Sequence, residues 1–325
     1  MLKKQFLFGV VFSLLSLFSG ALFAGQDDVW LMLQKASQAA RELSYKGVFV
    51  YQSGNASKSV QLTHMNYGQG EYARMVVLDG APREVLSQGS DVVIFSPKNE
   101  KIMIEKKRGQ NMFPALLPSH MDALKASYQA QTSGIERIGG RDAYVVNLTP
   151  KDQMRYGYRF WVDKEFGLLL KVMTLGEHGD ALEQIGFSQL TLMDGQNMDW
   201  FKPKFDPTKS YVMDQEGPPK ANSAEMDWDV AQLPAGYRKV DQVKQAVQGK
   251  ALPVTQMIFS DGLASISIFI EPLAKGVRPK VGHTVLGATN FYALVNEGHQ
   301  VMVIGEVPEA AVTQFARAVS FKVKK

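Results

Sequence analysis

The five histidines are the first candidates for chemistry in this chain, and their spacing does not organise a metal site. No His-x-His or His-Glu-x-x-His arrangement occurs among them. They are His64, His120, His178, His283 and His299. The chain has no cysteine, so thiol nucleophiles, disulfides and cysteine zinc sites are excluded. We expect no metal and no cofactor.

The other common catalytic patterns are missing as well. The sequence around Ser265 does not match the Gly-x-Ser-x-Gly frame of a nucleophile elbow. Gly68 and Gly70 close a predicted hairpin and open no helix, so they do not form a phosphate loop. Carboxylates such as Asp28 and Glu183 stay open as a glycosidase pair, because sequence does not give their separation in space. We predict that the protein has no catalytic residues and is not an enzyme.

The first 24 residues are typical of a secretory signal peptide. Two lysines precede an apolar run from Phe6 to Phe18, and cleavage is predicted after Ala24, with Ala21 as the alternative. Such a run is shorter than the roughly 20 apolar residues that span a bilayer. No cysteine follows it, which excludes a lipid-anchored lipoprotein. We therefore expect a soluble mature chain in the bacterial periplasm or the outside medium.

The charge balance gives no sign of nucleic-acid binding. Without Lys3 and Lys4 of the leader, 34 basic residues stand against 32 acidic ones. Nucleic-acid binding requires a concentrated basic face, and the longest basic run is Lys106-Lys107-Arg108. This run is either a solvated strand end or a contact for anionic lipid headgroups.

The hydrophobic pattern of the mature chain predicts one helix followed by many strands. Apolar residues recur at helical spacing from Val29 to Leu43, and the period changes to two from Val48. Turn sequences separate about ten strand candidates up to Met193. An antiparallel meander of this length predicts one large curved sheet or an incomplete barrel.

We divide the mature chain into three regions: a large domain at 25–200, a proline-rich linker at 201–225 and a smaller α+β domain at 226–325. In the smaller domain, Asp261-Gly262 predicts one tight hairpin turn and Glu297-Gly298 lies in a second. Pro308 is placed to begin a closing helix. The fold class is α+β, mainly antiparallel β.

An apolar segment lies in the middle of the meander, where a polar loop is expected. Its candidate residues are Met112, Phe113, Leu116 and Leu117. They either plug the open side of the sheet as core, or form a movable lid over a cavity for an acyl chain, since methionine repacks around irregular apolar ligands. Both interpretations place the segment on the concave face, and these four residues are our lipid-binding candidates.

Five stretches of the chain, taken in order, resemble the RseB/MucB family of periplasmic sigma-E regulators. They are YKGVFVY at 45–51, YGQGEYAR at 67–74, LDGAPREV at 78–85, RYGYRFW at 155–161 and FSDGLAS at 259–265. Each stretch alone is only a strand and a turn, but the combination is specific and covers nearly the whole mature chain.

The resemblance implies a fold and a function. The fold is a large LolA/LolB-like incomplete β-barrel around a helical plug, followed by a smaller domain. The function is to bind the periplasmic part of a membrane-spanning anti-sigma factor and to shield it from proteolysis. Lipopolysaccharide or mislocalised lipoprotein is the implied releasing signal. A homo-oligomer stays open, because the sequence does not give the oligomeric state. A periplasmic lipoprotein or acyl-chain carrier is the alternative, but a carrier of this kind needs only the first domain.

By the same analogy the first domain senses lipid and the second holds most of the anti-sigma contact. Our partner-binding candidates are the exposed parts of the first hairpin of the second domain, where an edge strand could accept a peptide strand. They are Phe259, Asp261, Leu263 and Phe269. Phe259 and Leu263 have core packing as the alternative.

Overall fold

The computed structural model describes residues 26–68, 70–89, 91–96, 101–106, 112–195, 197–202, 212–215, 228–245, 252–274 and 276–321. The predicted signal peptide and most of the predicted linker lie outside the described residues. Within these ranges no helix is both long and apolar enough to cross a membrane.

The first part of the chain forms two helices and a twelve-stranded sheet. The helices are α1 (Gln26–Glu42) and α2 (Asp122–Ser127). The strands are β1 (Tyr45–Ser53), β2 (Ala56–Tyr67), β3 (Gly70–Val77), β4 (Glu84–Gln88), β5 (Asp91–Ser96), β6 (Lys101–Lys106), β7 (Tyr128–Ile138), β8 (Arg141–Pro150), β9 (Gly157–Asp163), β10 (Leu169–Leu175), β11 (Ala181–Leu192) and β12 (Val212–Gln215). A short 3-10 helix, Met198–Phe201, precedes β12.

The strands follow the order β12-β6-β5-β4-β3-β2-β1-β11-β10-β9-β8-β7, so β12 and β7 are the two open edges. Every neighbouring pair is antiparallel except β12 with β6, which is parallel. The central pairing joins β1 to β11, from Tyr45 opposite Leu192 to Ser53 opposite Glu183. We call this part, α1 to β12, the first domain.

Helix α1 is the plug of the incomplete barrel. Its apolar stripe, including Trp30, Leu33 and Ala40, is buried in one core with residues of β1, β2 and β7 to β11. Asp28 lies in its first turn, where a negative charge interacts favourably with the positive end of the helix dipole. The predicted large incomplete barrel with a helical plug is confirmed.

A strand lies inside the segment that the sequence predicts as a linker. Residues Val212–Gln215 pair with Lys101–Ile104 at the edge of the large sheet. The prolines around this stretch hide it from a pattern analysis, because a four-residue edge strand has too few alternations to stand out.

The second domain, from β13 to β20, is a smaller α+β unit, as predicted. Its elements are β13 (Trp228–Val230), β14 (Arg238–Gln245), β15 (Val254–Ser260), β16 (Ser265–Pro272), β17 (Gly282–Leu286), β18 (Thr289–Asn296), β19 (His299–Gly305), α3 (Glu309–Ala318) and β20 (Val319–Phe321). Six strands form a sheet in the order β14-β15-β16-β19-β18-β17, and β13 pairs with β20. The α3 helix buries Val312 and Phe315 in a separate core with Ile266 and Val303.

The two predicted hairpins are present, but their turns differ. Glu297 and Gly298 both have positive φ, at 45° and 73°, and close β18 and β19 with a two-residue turn. The first hairpin has a four-residue loop, Asp261–Ala264, instead of a tight turn. The Asp261 carboxylate accepts hydrogen bonds from the backbone N–H groups of Leu263 and Ala264, at 2.9 and 2.8 Å.

Candidate functional site

The two domains meet around a buried ion pair. The Arg155 guanidinium donates through Nη1 to Asp261 Oδ2 at 2.6 Å, and both side chains are fully buried. Nη2 also donates to the Ala235 carbonyl at 2.6 Å, and Nε donates to Asp152 Oδ1 at 3.0 Å. Arg155 therefore joins the end of β8 and the start of β9 to two separate segments of the second domain.

Aromatic rings complete the surroundings of this guanidinium. It lies 4.8 Å from the ring centroid of Tyr237 and 5.7 Å from that of Tyr128. The Tyr237 hydroxyl donates to the Met154 carbonyl at 3.0 Å, and Asn290 donates to the Tyr156 hydroxyl at 3.0 Å. On the side of the first domain, these polar contacts to the second domain are made by residues 154–156.

Backbone space is also tight at this contact. Gly236 has a φ of +82°, and a Cβ added there would overlap the hydroxyl oxygen of Ser127. We expect Gly236→Ala to lower the free energy of unfolding by about 1–3 kcal/mol, through left-handed strain and overpacking. The check is urea denaturation beside Gly140→Ala, which has a φ of +84° and no atom within 4 Å of its added Cβ. Equal losses in the two variants would show that the contact tolerates the methyl group.

A cavity of about 420 Å³ lies beside this contact, between the concave face of the large sheet and the second domain. We call it the interdomain cavity. Strands β1, β3, β9, β10 and β11 form its floor, the segment around Phe113 forms one wall, and the second domain contributes Leu263 and Glu306. Its lining residues are Phe49, Tyr51, Met75, Met112, Phe113, Leu116, Tyr158, Phe160, Val172, Thr174, Glu183, Gln184, Ile185, Leu263 and Glu306.

A second cavity of about 260 Å³ adjoins the first and shares four of its residues. The shared residues are Leu116, Tyr158, Leu263 and Glu306. From there the second cavity follows the ends of β15, β16, β18 and β19. The two cavities together follow the boundary between the domains, so material bound in them touches both domains.

The four lipid-binding candidates divide into two pairs. Phe113 and Leu117 are buried core residues, and the Phe113 ring lies 5.4 Å from that of Phe49 and 5.0 Å from that of Phe187. Met112 is 39% exposed and Leu116 is partly buried, and both line the interdomain cavity. The segment is therefore a core plug on one side and a cavity wall on the other, and lipid binding there stays a prediction.

The expected exposure of the partner-binding candidates is wrong for two of the four. Phe259 is 1% exposed and packs 5.3 Å from the ring of Phe315, and Asp261 is fully buried in the ion pair with Arg155. Strands β15 and β16 are inner strands, so the hairpin offers no edge; the edges of this sheet are β14 and β17. A hairpin pattern in the sequence shows that two strands are neighbours but not where they lie in the sheet. This is the physical reason for the wrong expectation of an edge. Leu263 and Phe269 remain partly buried, and partner binding there stays a prediction.

Hydroxyl and carboxyl groups form the polar end of the interdomain cavity. The Tyr51 hydroxyl donates to Glu183 Oε2 at 2.7 Å, and the Thr174 hydroxyl donates to Oε1 at 3.4 Å. Burial, and then the hydrogen bond to Glu183, raises the pKa of Tyr51 to about 12. Glu306 is exposed, but the protein around its carboxyl group removes part of its hydration. This desolvation, and then the nearby Glu183 carboxylate, raises the pKa of Glu306 above its ordinary value.

Sequence reasoning did not single out Arg155, Tyr51 or Glu306, and it considered Glu183 only as a possible glycosidase carboxylate. Arg155 lies in a stretch that carries the family resemblance, which is the one signal that marks it. Tyr51 and Glu306 belong to different domains, and they line the same cavity only because the two domains are in contact. The described ranges hold no group of three or more His, Asp or Glu residues arranged to bind a metal ion.

Two family models match the chain. The model of the MucB/RseB N-terminal domain matches residues 28–205, and that of the MucB/RseB C-terminal domain matches residues 222–320. The sigma-E factor regulatory protein RseB of Haemophilus influenzae is 25% identical over 327 residues, covering 99% of this chain and 100% of that protein. The sigma factor AlgU regulatory protein MucB of Pseudomonas aeruginosa is 28% identical over 295 residues, covering 88% and 89%.

Solved structures agree with these matches. The crystal structure of MucB in complex with MucA(peri) has a TM-score of 0.74 and 25% identity, over 91% of this chain and 100% of that chain. The crystal structure of MucB has a TM-score of 0.65 and 26% identity, over 92% and 99%. Because the first family model alone covers more than half of the sequence, this chain belongs to the MucB/RseB family.

Proposed function

We propose that this chain is a periplasmic negative regulator that binds the periplasmic part of a membrane-spanning anti-sigma factor and shields it from proteolysis. Family membership supports the regulatory role, since similar proteins are named regulatory proteins of sigma factors. The solved complex of MucB with MucA(peri) supports an anti-sigma segment as the partner. The protein acts by binding, without catalysis.

The observation that carries the mechanism is the position of the interdomain cavity. Its floor belongs to the first domain, while Leu263 and Glu306 belong to the second. An acyl chain from lipopolysaccharide or a mislocalised lipoprotein that enters the cavity must contact both domains, so its binding energy depends on how the domains are arranged. A partner whose binding also depends on the domain arrangement is then coupled to the lipid. If lipid and partner favour different arrangements, lipid binding releases the partner.

The test is calorimetry of the purified mature protein with the periplasmic segment of its cognate anti-sigma factor, with and without lipopolysaccharide fragments. We expect the lipid to weaken segment binding by about 5- to 150-fold, the usual range of allosteric coupling. Linkage requires the segment to weaken lipid binding by the same factor.

The control uses an acylated peptide beside the same peptide without its acyl group, so that any effect is assigned to the chain. Independent binding of lipid and segment would overturn the coupling. Binding of acylated peptide without any binding of the anti-sigma segment would instead favour the alternative function, a periplasmic lipoprotein or acyl-chain carrier.

A further inference from the structure

The interdomain cavity is acidic at its polar end. None of the described residues that line it, or the adjoining cavity, is a lysine, arginine or histidine. Its charged residues are Glu183, from β11, and Glu306, which follows β19. The rest of the lining is mostly aromatic and aliphatic, so a ligand finds an apolar wall with carboxylates at one end.

The two carboxylates have different roles. Glu183 is held by the hydroxyl groups of Tyr51 and Thr174, at 2.7 and 3.4 Å, so its position is fixed. Glu306 lines both cavities and is accessible there. Desolvation by the surrounding protein and the like charge of Glu183 disfavour ionisation of Glu306 and raise its pKa. A cation placed between them would remove this repulsion, whereas an anion would increase it.

We propose that the interdomain cavity binds an amphiphile with one apolar chain and an ammonium head, and that Glu306 selects this head against phosphate. The inference rests on the lipid site of the proposed function and names its ligand class. The chain would lie along Phe113, Leu116 and Leu263, and the ammonium would lie between Glu183 and Glu306. The volume of about 420 Å³ falls within the range of about 300–1,000 Å³ that is usual for small-molecule sites.

This chemistry sets a condition on lipid signals that carry phosphate. A phosphate beside two carboxylates is repelled, and no basic residue among the described lining compensates its charge. The cavity therefore accepts the acyl chain of a phosphorylated lipid only where the phosphate stays outside. An amphiphile whose ammonium is attached directly to its chain brings no phosphate into the cavity and gains the contact with the carboxylates.

The test compares pairs of probes that share a chain and differ in the head. Dodecylamine and dodecyl phosphate form the simple pair; lysophosphatidylethanolamine and lysophosphatidylglycerol of equal chain length form the lipid pair, in which both members keep the phosphate. Calorimetry of the mature protein at pH 7.5 and low salt is expected to show about tenfold tighter binding of dodecylamine than of dodecyl phosphate, the size of one partly screened ion pair. A preference in both pairs would show that the ammonium reaches the carboxylates even with a phosphate beside it. A preference confined to the simple pair would restrict the ligand class to amphiphiles whose ammonium is attached directly to the chain.

Variants assign the preference to a residue. Glu306→Gln keeps the shape and removes the charge, so the preference should fall to less than about threefold. Glu309→Gln is the matched control, because this exposed carboxylate lies three residues further on and does not line the cavity. Glu183→Gln should also reduce the preference and serves where Glu306→Gln does not fold.

Each remaining outcome has one meaning. Equal or tighter binding of dodecyl phosphate by the wild type, or a preference unchanged in both glutamine variants, would overturn the head-group selection and leave the lipid site intact. No binding of any probe would overturn the lipid site itself, but not the binding of the anti-sigma segment. Rising salt should weaken the wild-type preference, because screening acts on the charge contribution.

Discussion

Replacing Arg155 with methionine should lower the free energy of unfolding by about 3–5 kcal/mol, because it leaves the buried Asp261 carboxylate without its counter-charge. Both side chains are fully buried, and the bond between Nη1 and Oδ2 is 2.6 Å long. Methionine fills part of the same volume, so lost packing accounts for little of the change. The guanidinium also holds the Ala235 carbonyl and Asp152, and these acceptors lose their donor as well.

The measurement is urea denaturation of Arg155→Met beside a matched exposed pair. Arg137 and Asp142 form an ion pair at 3.3 Å with side chains 70% and 55% exposed, so Arg137→Met should cost at most about 1 kcal/mol. Similar losses in the two variants would contradict a structural role for the buried pair. The chain has four tryptophans, of which Trp30 and Trp161 lie in the first core and Trp228 in the second, so tryptophan fluorescence follows the unfolding of both domains together.

The loss of this pair also tests the proposed coupling. Arg155 and Asp261 lie on opposite sides of the domain contact, and Asp261 begins the loop that carries Leu263 into the interdomain cavity. A domain contact weakened here should let the domains change arrangement without lipid. We therefore expect lipid to have a smaller effect on anti-sigma binding in Arg155→Met than in the wild type.

The parts of the fold with strong local patterns are predictable from the sequence. The helical spacing from Val29 to Leu43 corresponds to α1, and the Glu297-Gly298 turn closes β18 and β19 as predicted. Turn chemistry and periodicity are local properties, so they can be read without a structure. The family resemblance adds the barrel and its plug, which local patterns alone leave open between a curved sheet and a barrel.

The candidate site is less predictable, because it depends on contacts between distant segments. Asp261 looks like a turn residue in the sequence, and its role in the buried pair requires Arg155, which lies 106 positions earlier. The acidic end of the cavity likewise joins Glu183 and Glu306 across the domain contact. No periodicity relates such positions, so only the fold brings them together.

Truncation of Phe113 to alanine is the second large effect, with an expected loss of about 3–5 kcal/mol in the free energy of unfolding. The ring is 6% exposed and contacts Phe49 and Phe187, whose ring centroids lie 5.4 and 5.0 Å away. Its removal opens a hole in the core cluster that also contains Leu117. The neighbouring rings relax only partly into the space, so the cost of the cavity adds to the lost transfer free energy.

Met112 provides the matched control in the same segment. It is 39% exposed and lines the interdomain cavity, so Met112→Ala should cost less than about 1 kcal/mol of stability. Thermal denaturation and dodecylamine titration of both variants separate the two roles of the segment. Met112→Ala should weaken amphiphile binding while it keeps the fold, whereas Phe113→Ala should lower the stability first. If Phe113→Ala were as stable as the wild type, the segment would be a lid over the cavity and not part of the core.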